Sequence, residues 1–419
     1  MTVDGRRGFR SYEVYQRERV GETTNLVNPR DLIADDYLGD PFTVPGVLRE
    51  NYPCFRDWVG NRFWLTRYDD VTSVFVDDAN FETRPRMSAY GGSMSGHDLG
   101  AEPEVQQVLT RQIDAAIVPV LDRTLDSLPD GAAPVDLVSA VTDQLAHDLF
   151  AHAISTGRHC SELLELARIV RGGAGWNERD RVAGQAAFAD LVKMLELVLA
   201  ANKGAPERDM VAALAELGAS AADAATTLVE LDTETLPASL ANLWCLLLTN
   251  KAQLDQVVAE PRLMKFAYLE ALRHSPPTAT TDRYAKHEVE RFGRLLPQGA
   301  LVHLSAAAAN RDPRQFVDPD NFDVTRKDLC QREPRGQYRA DGLPAPIVFG
   351  HGKPSVLPAR PKESPRSRFA LTLDIAVAAS LAVLERFPAM QLAPGAPPSM
   401  RLDRLGGTYR CRDLLVNIS

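Results

Sequence analysis

The feature that most restricts this chain is a change of rhythm past its midpoint. From Glu104 to about Val257, apolar residues recur at the three- and four-residue spacing of amphipathic helices. The run is broken at 127–134, 171–176 and 203–207, where glycine, proline and other turn residues cluster. Beyond it, Met264–Pro277 reads as a helix ended by Pro276 and Pro277, which cannot extend the hydrogen-bonded ladder. Arg291–Ser305 reads as a hairpin turning near Pro297-Gln298-Gly299. Residues 310–365, rich in Pro, Arg, Asp and Gly, read as long irregular coil; helix resumes over Arg368–Phe387, before a short strand-like tail. Together these predict a mainly α fold with small β-sheets.

Upstream, residues 1–40 are polar and turn-rich and read as an N-terminal arm, with 41–419 as a single domain. Asn61–Val76 alternates into a short strand and then takes on helical periodicity, and 85–103 reads as a loop. There is no internal repeat. The net charge of −9 argues against a general nucleic-acid or anionic-membrane binder. No run of eighteen apolar residues predicts a membrane span, and the first twenty residues carry no secretory h-region. The five cysteines (Cys54, Cys160, Cys245, Cys330 and Cys411) are scattered without a CxxC pair. They suit free thiols in a reducing cytoplasm, and neither they nor the eight histidines form a metal-ligand pattern.

Glu270 and Arg273 lie three residues apart, which puts them on one helix face where they can pair. Alone, that spacing describes a solvated surface pair worth little. Downstream follow Arg283, the Leu295–Leu304 segment, Asn310-Arg311-Asp312-Pro313, Asp318-Pro319, Phe322, Phe349-Gly350-His351-Gly352 and Arg386-Phe387-Pro388. In this order the pieces resemble the bacterial cytochromes P-450: their ExxR helix, propionate-binding strand arginine, NRDP segment, meander and FGxG loop. Trp64–Val71 resembles the family's early strand-to-helix step. The resemblance implies a P-450 fold in which Glu270, Arg273 and the meander form a buried structural network.

It also exposes departures. Aligned on FGxG, Val356 stands where the family has the cysteine that binds haem iron, and valine offers no lone pair. Pro354 replaces a propionate-binding His or Arg, and Pro358 replaces a glycine that lets the backbone approach the porphyrin. The loop onward to Phe387 is longer than usual, with a basic, proline-bearing insertion. The family's early His and Arg, four apart, fall on Val105 and Leu109, so propionates there would lack charge partners. In the long distal helix, A-G-x-[DE]-T falls on Leu231, Asp232, Thr233, Glu234 and Thr235; the acid–alcohol pair survives, the small pair does not, and Pro237 adds a kink or break. Cys330 is the nearest alternative ligand in sequence, Cys245 reads as core, and His351 is not used as a ligand in the family.

The resemblance narrows to the P-450-like helpers that activate a deoxysugar glycosyltransferase in actinomycete natural-product pathways. It implies a haem-free auxiliary or scaffold protein with no cofactor and no metal, partnered by a biosynthetic enzyme. The alternative is a haem-independent isomerase, cyclase or dehydratase. There Asp232 or Glu234 would act as acid or base beside Thr235, and Arg283 would hold an anionic substrate, with Leu231 lining the pocket. A monooxygenase with unusual ligation is the remaining reading.

Overall fold

A computed structural model of the chain describes residues 27–85, 87–88, 90, 96–129, 133–154, 159–173, 178–202, 209–329, 347, 368–403 and 407–418. Cys330, the FGxG loop at 349–352, Val356 with its flanking prolines, and the basic insertion lie outside the described residues.

The first elements are helices α1 (Asp35–Gly39) and α2 (Thr43–Asn51), strands β1 (Phe55–Asp57) and β2 (Arg62–Leu65), helix α3 (Tyr68–Phe75) and strand β3 (Phe81–Glu82). The β1–β2 turn needs a left-handed residue, supplied by Asn61 at φ 49°. Helix α4 (Pro103–Asp126) opens on a proline, whose missing N–H is unused there anyway. Strand β4 (Val135–Asp136) leads through a π-turn at Val138–Asp143 into α5 (Gln144–Ile154), followed by α6 (Cys160–Gly173) and α7 (Glu178–Asn202). Asp209 caps α8 (Met210–Glu216), and Ser220 with Asp223 closes a capping box on α9 (Ala221–Glu230).

Then come α10 (Thr235–Thr249), α11 (Lys251–Ala259) and α12 (Met264–His274), which stops before the proline pair. Strands β5 (Thr280–Ala285), β6 (Val289–Arg291), β7 (Arg294–Leu296) and β8 (Leu301–Ser305) precede α13 (Ala306–Ala309), α14 (Arg368–Arg386) and strands β9 (Gln391–Leu392), β10 (Ser399–Leu402), β11 (Tyr409–Asp413) and β12 (Leu415–Asn417).

The residues form two compact units. The first draws its described residues from Met1–Thr83, Ala238–Leu357 and Pro397–Asp413. Its sheet runs β1-β2-β8-β5-β3, with β2 parallel to β8 and the other pairs antiparallel. Phe63, Leu65, Val302 and Leu304 bury one side against Tyr68, Val71 and Val74 of α3, while Trp64 and Tyr409 belong to a second cluster with Leu32 and Leu48. The second unit draws on Arg84–Pro237, Pro358–Ala396 and Leu414–Ser419. It is built from α4–α9 and α14, with the small sheet β4-β12-β9.

Two sequence expectations need correction. The hairpin does not turn at Pro297-Gln298-Gly299. It turns between β6 and β7 at Phe292-Gly293, whose positive φ values of 57° and 70° suit the two-residue turn whose twist matches the right-handed twist of paired strands. Residues 297–299 instead carry the chain to β8, which pairs with β2 and β5. Nor is the break in the long helix made by Pro237. The helix stops at Glu230 and restarts at Thr235, and Pro237 sits in the first turn of α10, where no intrahelical N–H is needed.

Candidate functional site

The charged centre of the first unit grows from α12. Glu270 and Arg273 are both fully buried and joined by two short bonds, Nε to Oε2 at 2.7 Å and Nη2 to Oε1 at 2.8 Å. Arg273 spends its other donors on backbone carbonyls of Asn310 (2.9 Å), Pro319 (2.6 Å) and Asn321 (3.1 Å). Arg326 completes the set: its Nε donates to Glu270 Oε1 at 3.1 Å and its Nη groups to Val317, Asp318 and Asn321 carbonyls. Asn310 trades two bonds with the backbone of Ile347, 2.9 and 2.7 Å. Irregular coil is thus held by side chains rather than by a ladder, which answers the demand that buried backbone groups find partners. Sequence reading named Glu270 and Arg273 but missed Arg326, whose only signal is a basic residue in coil.

Arg283 lies on β5 opposite Val302 of β8 and is 4% exposed. Its Nη1 donates to the Asp282 carbonyl at 2.9 Å and its guanidinium covers the Phe75 ring at 5.2 Å. Its Nη2 is buried without a hydrogen-bond partner among the described residues. Burial pushes this guanidinium down to about 10, against the pull of Asp282 and Asp78. On the other side of the same strand, Asp282 accepts from His303 Nδ1 at 2.5 Å, and the His303 ring packs edgewise on Trp64 at 4.4 Å. Burial, then the Arg62 cation, hold His303 below the ordinary imidazole range.

The remaining sequence-predicted residues belong to the second unit, at the junction of α9 and α10. Leu231 is half-buried and ends α9. Asp232 Oδ1 accepts from the backbone N–H of Glu234 (3.1 Å) and Thr235 (3.0 Å), and its Oδ2 from the Thr235 hydroxyl at 2.5 Å. This carboxylate therefore caps the start of α10, the chemistry that favours aspartate before a helix. Glu234 faces Arg171 at 3.7 Å and is 40% exposed. Arg171, which sequence reading did not single out, reaches from α6 into the gap: Nη1 donates to the Leu228 and Leu231 carbonyls at 3.3 and 3.2 Å and Nη2 to Thr233 Oγ1 at 2.8 Å. A buried cation there satisfies carbonyls that the broken helix leaves open and complements the helix dipole. Val105 and Leu109 are buried on α4, 1% and 7% exposed.

Comparison with known proteins places this geometry. A family model described as Cytochrome P450 matches residues 258–329, which contain Glu270, Arg273, Arg283 and Arg326. The chain is 33% identical over 339 residues to the 6-deoxyerythronolide B hydroxylase of Saccharopolyspora erythraea, covering 71% of this chain and 82% of that protein. It is 34% identical over 165 residues to Protein DesVIII of Streptomyces venezuelae, 37% and 41% of the two chains. In fold it is similar to the crystal structure of the myxobacterial cytochrome P450 CYP267B1 in complex with myristic acid. The TM-score is 0.73 at 20% identity, over 93% of this chain and 99% of the other. The chain belongs to the cytochrome P450 family. No helix among the described residues is long and apolar enough to cross a membrane.

Proposed function

We propose that this chain is a haem-free cytochrome P450 homologue that serves as an auxiliary or scaffold protein for a biosynthetic enzyme in the cytoplasm. The observation that carries the reading is Val356 at the position of the iron-binding cysteine. The residues aligned with the propionate anchors do not fit a porphyrin either: Val105 and Leu109 bury hydrocarbon where charged donors would be required. Arg283 is the one retained anchor. The stretch shared with DesVIII supports an auxiliary role, with a glycosyltransferase of natural-product biosynthesis as the partner class. The test is co-expression and co-purification with the glycosyltransferase. The reading expects a complex and a gain in soluble, active partner, and a partner equally soluble and active alone sinks it.

A second reading, a haem-independent isomerase, cyclase or dehydratase, is favoured by Arg283, whose buried Nη2, without a partner among the described residues, would hold an anionic small molecule. It assigns acid–base work to Asp232 or Glu234. The helix cap made by Asp232 speaks against the first of these. A turnover left unchanged by both Glu234→Gln and Asp232→Asn would end this reading.

A further inference from the structure

Cys245 and Cys411 are far apart in sequence and adjacent in the first unit. The device that brings them together is Asn242, wholly buried on α10. Its Nδ2 donates to the Ser275 carbonyl at 2.9 Å and the Tyr409 carbonyl at 2.8 Å, and its Oδ1 accepts from the Cys411 N–H at 2.8 Å. Strand β11 is thereby pinned to one turn of α10. Cys245 lies three residues beyond Asn242, so both side chains leave the helix on the same face. The two thiols stand within hydrogen-bonding reach of each other, and the Cys411 S–H also reaches the Asp413 carbonyl at 3.3 Å. Both residues are buried, 4% and 0% exposed.

We propose that Cys245 and Cys411 are a dithiol that closes to a disulfide by exchange with a small-molecule disulfide, tying β11 to α10. Cys245 gives up its proton and its sulfur attacks one sulfur of the oxidant. The oxidant's S–S bond breaks and the first small thiol leaves with that proton. Cys411 then loses its proton as its sulfur attacks the mixed disulfide at Cys245, and the second small thiol leaves with it. Two cysteines are oxidised and one small disulfide is reduced to two thiols. The hydrogen bond between the two thiols favours the first thiolate formed in the pair, since the partner's S–H donates to it. Burial makes the exchange wait for β11 to lift from the helix, so it runs more slowly than modification of half-buried Cys160.

The test uses the full chain carrying Cys160→Ser and Cys330→Ser, incubated with oxidised glutathione, alkylated, digested and read by mass spectrometry. The expected product is a peptide pair linked between Cys245 and Cys411 and lighter by two hydrogens. The melting temperature should rise by several degrees and fall back after dithiothreitol. Cys411→Ala and, independently, Cys245→Ala should abolish both the link and the rise. Recovery of the two cysteines alkylated, or carrying glutathione singly, overturns the proposal, as does a linked chain that melts no higher than the reduced one.

Discussion

Arg273 and Arg283 are buried guanidinium groups of the same unit, ten residues apart, and the chain treats them in opposite ways. Arg273 is wholly buried and uses its donors on Glu270 and three carbonyls. Among the described residues, Arg283 makes one backbone bond, rests on a phenyl ring and finds no partner for Nη2. An unmade buried hydrogen bond costs about 1–3 kcal/mol, so among the described residues Arg273 adds to the fold in a way that Arg283 does not. The difference separates a charge bound into the architecture on every side from a charge with a donor to spare among the described residues.

The sharpest way to break that contrast is to remove each cation. Arg273→Ala leaves Glu270 buried with Arg326 as its partner, and denaturant unfolding should show a loss of about 3–5 kcal/mol, enough to compromise soluble expression. Arg171→Ala comes next. It uncaps the Leu228 and Leu231 carbonyls, and the same measurement should give a loss of about 1–3 kcal/mol, with faster amide exchange confined to the α9–α10 junction. Arg283→Met should change stability by about 1 kcal/mol or less in either direction, because a hydrophobic replacement removes an incompletely paired charge. If Arg283→Met costs as much as Arg273→Ala, the two arginines do the same work and the contrast fails.

The smallest effect concerns pH. His303 has a folded pKa below its unfolded value, so the unfolded chain binds more protons as pH falls under about 6.5. Its contribution is therefore complete above that pH and is lost on acidification. Urea midpoints should decline between pH 7.5 and pH 5.5, and His303→Gln should flatten part of that decline. A variant with an unaltered slope would show that His303 does not set the acid response in this range.

Much of the fold was legible because it is written in local signals. The three-residue spacing of Glu270 and Arg273 and the proline pair after His274 each act within a helical turn or two. What stayed hidden depends on distant groups. Arg171 reaches sixty residues along the chain to fill the α9–α10 gap, and no pattern around it announces that role. Pro237 is the visible breaker in the sequence, yet the cap at Asp232 and the Arg171 plug are what accommodate the break. Pro297-Gln298-Gly299 is likewise the most visible turn signal in its stretch. Phe292 carries a positive φ that its identity does not advertise, so the true turn showed only its glycine. Cys245, read as a core hydrophobe, gave no hint of Cys411.

The central claim is that Val356 marks a chain without haem. It is tested most directly by the absorption spectrum of the purified protein after expression with a haem precursor, recorded with and without reductant and carbon monoxide. The account predicts no Soret band above that of adventitious pigment; a stoichiometric Soret band would contradict it and show that another residue has taken over the iron.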